Sequence, residues 1–176
     1  MLRKCYVCNR KGNFEHLNRY ICRKCFLKNI ERRVKRHLSR RLFKRNDKIL
    51  VIGEVERVLL ERAVKGLPLK ITSRKRLPKE VKGFNWVIVG KTMDEVIEEF
   101  LEGLTKGKLI LGKMKKKFFN ILEPLTDEEV RQYARLKKIK FEVKEKKRVL
   151  DRLKEFKEIK YNLYNNVRNL RLIGGS

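Results

Sequence analysis

Apolar residues recur at every fourth position through Phe26, Ile30, Val34, Leu38 and Leu42. That single stripe predicts a helix over 26–45 with one buried face. Beyond Asn46-Asp47 the pattern changes. Residues 48–52 (KILVI) form an apolar run closed by Gly53, which predicts a buried strand. Residues 54–65 place Val55, Val58, Leu59 and Ala63 at helical spacing, with Gly66 and Pro68 as the stop. A second strand is predicted at 69–72 (LKIT), a basic loop over 73–83, and a third strand at 85–89 (NWVIV) closed by Gly90. The clearest helix follows over 92–104. There Met93, Val96, Ile97, Phe100, Leu101 and Leu104 share a face, and Thr92 with Glu95 makes a capping box. A second capping box, Thr126 with Glu129, opens a helix behind Glu123-Pro124, and a charged helix is predicted over 145–157. The tail 161–173 (YNLYNNVRNLRLI) suits a packed C-terminal turn and an RNA contact equally well. Strands alternating with helices predict a small α/β domain built on a parallel sheet.

Charge narrows the class of partner. Among 176 residues, 48 Lys and Arg stand against 21 Asp and Glu, a formal charge of +27. This balance argues against an ordinary neutral metabolic enzyme and makes nucleic acid the first partner to consider. With 41% hydrophobic residues the chain can still bury a core, so it is not a basic tail. No apolar run reaches the length of a membrane span and none follows the N-terminus as a secretory signal, so a cytoplasmic protein is expected.

The cysteines are confined to one short region. They fall as Cys5-x2-Cys8 and Cys22-x2-Cys25 with thirteen residues between the pairs. Two such knuckles let four thiolates converge on one zinc ion in a structural role, because four protein ligands leave no open position. An iron–sulfur cluster and redox or disulfide pairs are the alternatives. Disulfides are disfavoured in the cytoplasm, and a thioredoxin-type pair needs a preceding strand and a following helix. His16 is surplus to a four-thiolate shell and is expected at the surface.

The helix behind this module concentrates the charge. Residues 1–46 hold sixteen Lys or Arg against Glu15 and Glu31, so about half of the excess sits in a quarter of the chain. Arg32, Arg33, Lys35, Arg36, Arg40, Arg41, Lys44 and Arg45 lie off the apolar stripe and are the candidate RNA-binding residues. A solvated basic face and a membrane-surface helix are the competing uses. Three units are expected: a zinc module at 1–25, the basic helix at 26–46, and an α/β domain at 47–176.

Catalytic signals are absent from this pattern. His16 and His37 have no nucleophile at motif spacing, and neither HExxH nor GxSxG occurs. Gly90-Lys91-Thr92 is not a phosphate loop, since the required earlier glycine is Asn85. The acidic residues Asp94, Glu95, Glu98, Glu99 and Glu102 read as a solvent-facing or partner-facing helix face.

The order of features resembles the PP-loop tRNA 2-thiolation proteins, the cytosolic thiouridylases among them. Cys5-x2-Cys8, Cys22-x2-Cys25-Phe26, the arginine-rich helix and strand 48–52 follow that family's order. Gly90-Lys91-Thr92-Met93-Asp94-Glu95 is similar to its Gly-His-Asn-x-Asp-Asp segment. Glu123-Pro124-Leu125, Glu128-Glu129-Val130 and Tyr133-Ala134 resemble its Lys-Pro-Leu…Glu-x-Glu-Val…Tyr-Ala block. The resemblance implies a reduced Rossmann-like (PP-loop ATPase-like) domain. Active members carry Ser-Gly-Gly-Lys-Asp-Ser after the first strand, where this chain has Gly53-Glu54-Val55-Glu56-Arg57, and their later cysteines have no counterpart. The resemblance thus implies a degenerate, non-catalytic paralogue similar to the second thiouridylase subunit. The expectation is a chain that is not an enzyme, holds one structural zinc, and binds tRNA and a catalytic PP-loop partner in a hetero-oligomer for 2-thiolation of wobble uridine. A stand-alone zinc-ribbon RNA- or DNA-binding protein and an enzyme with a different nucleotide site are the alternatives.

Overall fold

The computed structural model describes residues 3–16, 18–38, 43–106, 117–141 and 157–173, with side chains left aside at 157–159 and 171–173. A short antiparallel hairpin, β1 (Phe14–His16) and β2 (Arg19–Ile21), stands at the N-terminus and pairs Phe14 with Ile21. It runs into α1 (Arg23–Leu38), which buries Phe26, Ile30, Val34 and Leu38, the stripe expected from their spacing. The last member of that stripe, Leu42, lies outside the described residues, as do Arg40 and Arg41.

The remainder is an α/β unit. Its elements are β3 (Lys48–Ile52), α2 (Glu54–Ala63), β4 (Lys70–Arg74), β5 (Trp86–Val89), α3 (Met93–Thr105), β6 (Phe118–Asn120), α4 (Asp127–Lys137) and α5 (Lys157–Ile173). The four strands form one parallel sheet in the order β4-β3-β5-β6. This α/β architecture with a parallel sheet agrees with the strand and helix alternation. Two elements were not legible. β6 is only three residues long and follows a lysine run, and 161–173 forms most of a helix rather than a turn. The helix expected at 145–157 lies, except for its last residue, outside the described residues.

Successive strand residues face opposite sides of a sheet. Ile49, Val51, Ile88 and Phe119 join a core with α1, α2 and α4, and that same core takes in Cys5, Ile21 and Cys22 from the hairpin module. A second, smaller core joins Met93, Val96, Ile97 and Phe100 of α3 to Tyr164 and Val167 of α5. The cysteine module is therefore packed onto the sheet domain through continuous apolar contact. Among the described residues no helix is long and apolar enough to cross a membrane.

Candidate metal centre, basic face and sheet crevice

Cys5 and Cys8 sit before β1, Cys22 follows β2, and Cys25 opens α1. The chain reversal at β1–β2 brings the second pair back against the first. All four sulfurs lie within 4.8 Å of one another, Cys8 Sγ to Cys22 Sγ at 3.7 Å, with none in a disulfide. Metal–sulfur bonds of ~2.3 Å in a tetrahedron place sulfurs roughly 3.8 Å apart, so this spacing fits a single four-coordinate ion. A cubane cluster spreads its four thiolates over four separate irons and needs a wider shell. Burial opposes ionisation of Cys5, but hydrogen bonding from the backbone at Cys22, Val7 and Cys8 outweighs it and draws the thiol down to about 6. Cys25 moves the other way, pushed up to about 12 by burial and by the neighbouring thiols. One sulfur is ready to be a thiolate and another resists it. A bound cation resolves that conflict.

His16 belongs to the frame of the molecule rather than to its surface. It is 7% exposed, packs edge-on against Phe26 with ring centres 5.8 Å apart, and its Nε2–H donates to Glu129 Oε1 at 2.7 Å. Its Nδ1 is the one buried side-chain N or O atom without a partner among the described residues. A bare lone pair is the cheaper state there, which places the ring proton on Nε2. Glu129 also receives Arg33 Nη1, while Arg33 Nη2 donates to the Pro124 carbonyl. Tyr161 Oη completes the cluster at 3.4 Å from Glu129, its ring 5.8 Å from the Arg33 guanidinium carbon. Burial would raise the Glu129 carboxyl, but the His16 hydrogen bond and the Arg33 charge hold it down at about 2. Four elements, β1, α1, α4 and α5, thus meet on one carboxylate.

The basic residues of α1 divide accordingly. Arg33 is turned inward, whereas Arg32, Lys35 and Arg36 are exposed on the helix and Lys44 and Arg45 on the turn before β3. Within the acidic stretch of α3, Asp94 leaves the solvent-face expectation, while Glu99 and Glu102 keep it. Asp94 is buried, paired with Lys160 at 2.7 Å and accepting from the Asp127 amide, and Glu95 closes the capping box with Thr92.

A parallel sheet of this order sends its connections away on opposite sides at β3 and β5, and ligands of such sheets enter the crevice beyond those strand ends. Here Glu56 fills it. A Cβ added at Gly53, just past β3, would stand 2.0 Å from Glu56 Oε2, and one at Gly90, past β5, would stand 1.8 Å from Oε1. Burial, and then the charge of Glu95, push the Glu56 carboxyl up to about 7.

These features define an α/β protein with a parallel sheet, a four-cysteine metal-binding group and an exposed basic helix face. The sequence matches no protein-family model and no curated protein. Among solved structures the fold is shared with the U34-tRNA thiolase NcsA from Methanococcus maripaludis with its [4Fe-4S] cluster. The TM-score is 0.74 and the identity 17%, over 97% of this chain and 89% of that one. This likeness corrects the expectation of a non-enzyme. That expectation rested on a phosphate loop and cysteines missing from particular positions, yet the fold is one that an enzyme uses along nearly the whole chain. Loss of one motif removes one way of holding phosphate and does not remove catalysis from a fold.

Proposed function

We propose that this chain acts on tRNA in the 2-thiolation of wobble uridine, in the cytoplasm, together with a PP-loop protein that brings the phosphate-binding loop absent from the β3–α2 turn. The observation that carries the reading is the fold shared with a U34-tRNA thiolase over 97% of the chain. The charge of +27 and the exposed Arg32, Lys35 and Arg36 support it by giving a polyanion a face to follow. Arg40, Arg41, Lys44 and Arg45 extend that face in sequence, and Arg33 serves it as a fixed post held by Glu129. We assign zinc to the four thiolates, since their spacing suits one ion. No other cysteine exists in the sequence to hold a cluster beside it.

The test is the nucleoside composition of tRNA from a strain lacking the gene. Loss of wobble 2-thiouridine, restored by the wild-type chain, is the expected result, with a PP-loop protein recovered on affinity purification. Unchanged thiouridine overturns the reading. Metal analysis of the native protein should return about one zinc per chain; iron with acid-labile sulfide overturns that assignment.

A further inference from the structure

Where α1, the Pro124 turn and α5 meet there is a cavity of about 210 Å³, lined by Arg33, Arg36, His37, Pro124, Tyr164 and Arg168. Its frame is fixed. Arg33 is tied to Glu129 and the Pro124 carbonyl. His37 Nε2–H donates to the Asn120 carbonyl at 2.8 Å, and its ring lies 4.8 Å from that of Phe119. Tyr164 is buried and its hydroxyl donates to Glu123 at 3.2 Å. Arg33 is thereby held in the frame, while Arg36 of α1 and Arg168 of α5 bring their guanidiniums to the same space from two helices.

We propose that this cavity seats a phosphate of the RNA backbone, gripped by the guanidiniums of Arg36 and Arg168. The proposal rests on the tRNA-binding reading above and names a seat for it. Paired planar forks match the oxygens of a phosphodiester better than they match a spherical anion. Arg32, one turn before Arg36 on the same strip of helix, stands where the next phosphate of a continuous chain would pass. A mononucleotide or inorganic phosphate could occupy the seat but not use that strip.

The test compares the full-length wild type with Arg36→Gln/Arg168→Gln and with Arg168→Lys, each first shown to melt like the wild type. The probes are a tRNA transcript containing a wobble uridine, titrated over a range of salt, and inorganic pyrophosphate followed through the His37 ring resonances. The double variant should bind tRNA roughly tenfold or more weakly, with a salt slope reduced by about 2. Arg168→Lys should keep the slope and lose part of the affinity, because the charge remains and the fork does not. Wild-type affinity and slope in the double variant overturn the seat. So does a pyrophosphate shift at His37 with unchanged tRNA binding, which makes the cavity a site for small phosphates only. A wild type that does not bind tRNA at all instead overturns the functional reading on which the seat depends.

Discussion

Two glutamates occupy the same step of two helices and meet opposite fates. Glu56 is the third residue of α2 and Glu129 the third residue of α4, and both are buried. In α4 the N-cap is Thr126, whose hydroxyl accepts from the Glu129 amide while Glu129 accepts from the Thr126 amide at 2.9 Å. Its other oxygen meets Arg33 and His16. In α2 the N-cap is Gly53, which has no side chain to complete a box, and Glu56 lies between two glycines with the like charge of Glu95 acting on it. Position in a helix therefore decides where a carboxyl goes, and the cross-chain partners decide whether it stays charged.

The largest expected effect comes from deleting the well-partnered member. Glu129→Ala strands Arg33 and removes the cap, so chemical denaturation should show about 3–5 kcal/mol of lost stability. Equal stability in the variant breaks the claim that this carboxylate joins four elements. The pH dependence carries its own sign. A folded value of about 2 against the ordinary 4.5 means that the Glu129 contribution is present above pH 4.5 and lost as the pH falls toward 2.

Glu56 should do the reverse, with a smaller effect. Its value near 7 lies above 4.5, so its protonated form supports the fold below pH 4.5 and that support is lost as the pH rises through 7. Glu56→Gln should melt like the wild type at pH 5. At pH 8 it should be more stable by about 1–3 kcal/mol, as judged from the raised carboxyl. A variant less stable than the wild type at pH 8 would show that the charged carboxylate is itself held favourably there.

Smaller still, and most specific, is the pairing of Glu56 with Gly90. Gly90→Ala sets a methyl group against the carboxyl and should cost about 1–3 kcal/mol. In a Glu56→Ala background the part of that cost due to the carboxyl should vanish, while Leu122 Cδ1, 2.7 Å from the added methyl, keeps the rest, giving a coupling of at least about 0.5 kcal/mol in a double-mutant cycle. Additive costs would mean that Leu122, not Glu56, restricts Gly90.

How much of this could be read from the sequence follows the range of each interaction. Both capping boxes are three-residue signals, and Thr92–Glu95 and Thr126–Glu129 form as their spacing predicts. The four cysteines meet because a short hairpin returns the chain locally. The inward turn of Arg33 had a local signal that a strict four-residue stripe obscures. Residues seven apart nearly superpose on a helix, so Arg33 continues the line of buried Phe26, and His37 that of Ile30. The partner of His16 had no such signal. Glu129 is 113 residues away, and only the packing of α4 against α1 brings them together. Glu56 in the crevice was equally hidden, since the crevice exists only once β5 lies beside β3.

The reach from His16 to Glu129 also sets an order of events during synthesis. Ribosomes add about 5–20 residues per second, so roughly 5–20 seconds pass between the emergence of Cys25 and that of Glu129. Through that interval the cysteine hairpin can capture its ion, but its inner face lacks the carboxylate that closes over His16. The cysteine segment, which leaves the ribosome well before α4, is thus among the last to be locked in place. A nascent chain arrested before α4 should bind metal and yet remain open to protease along α1.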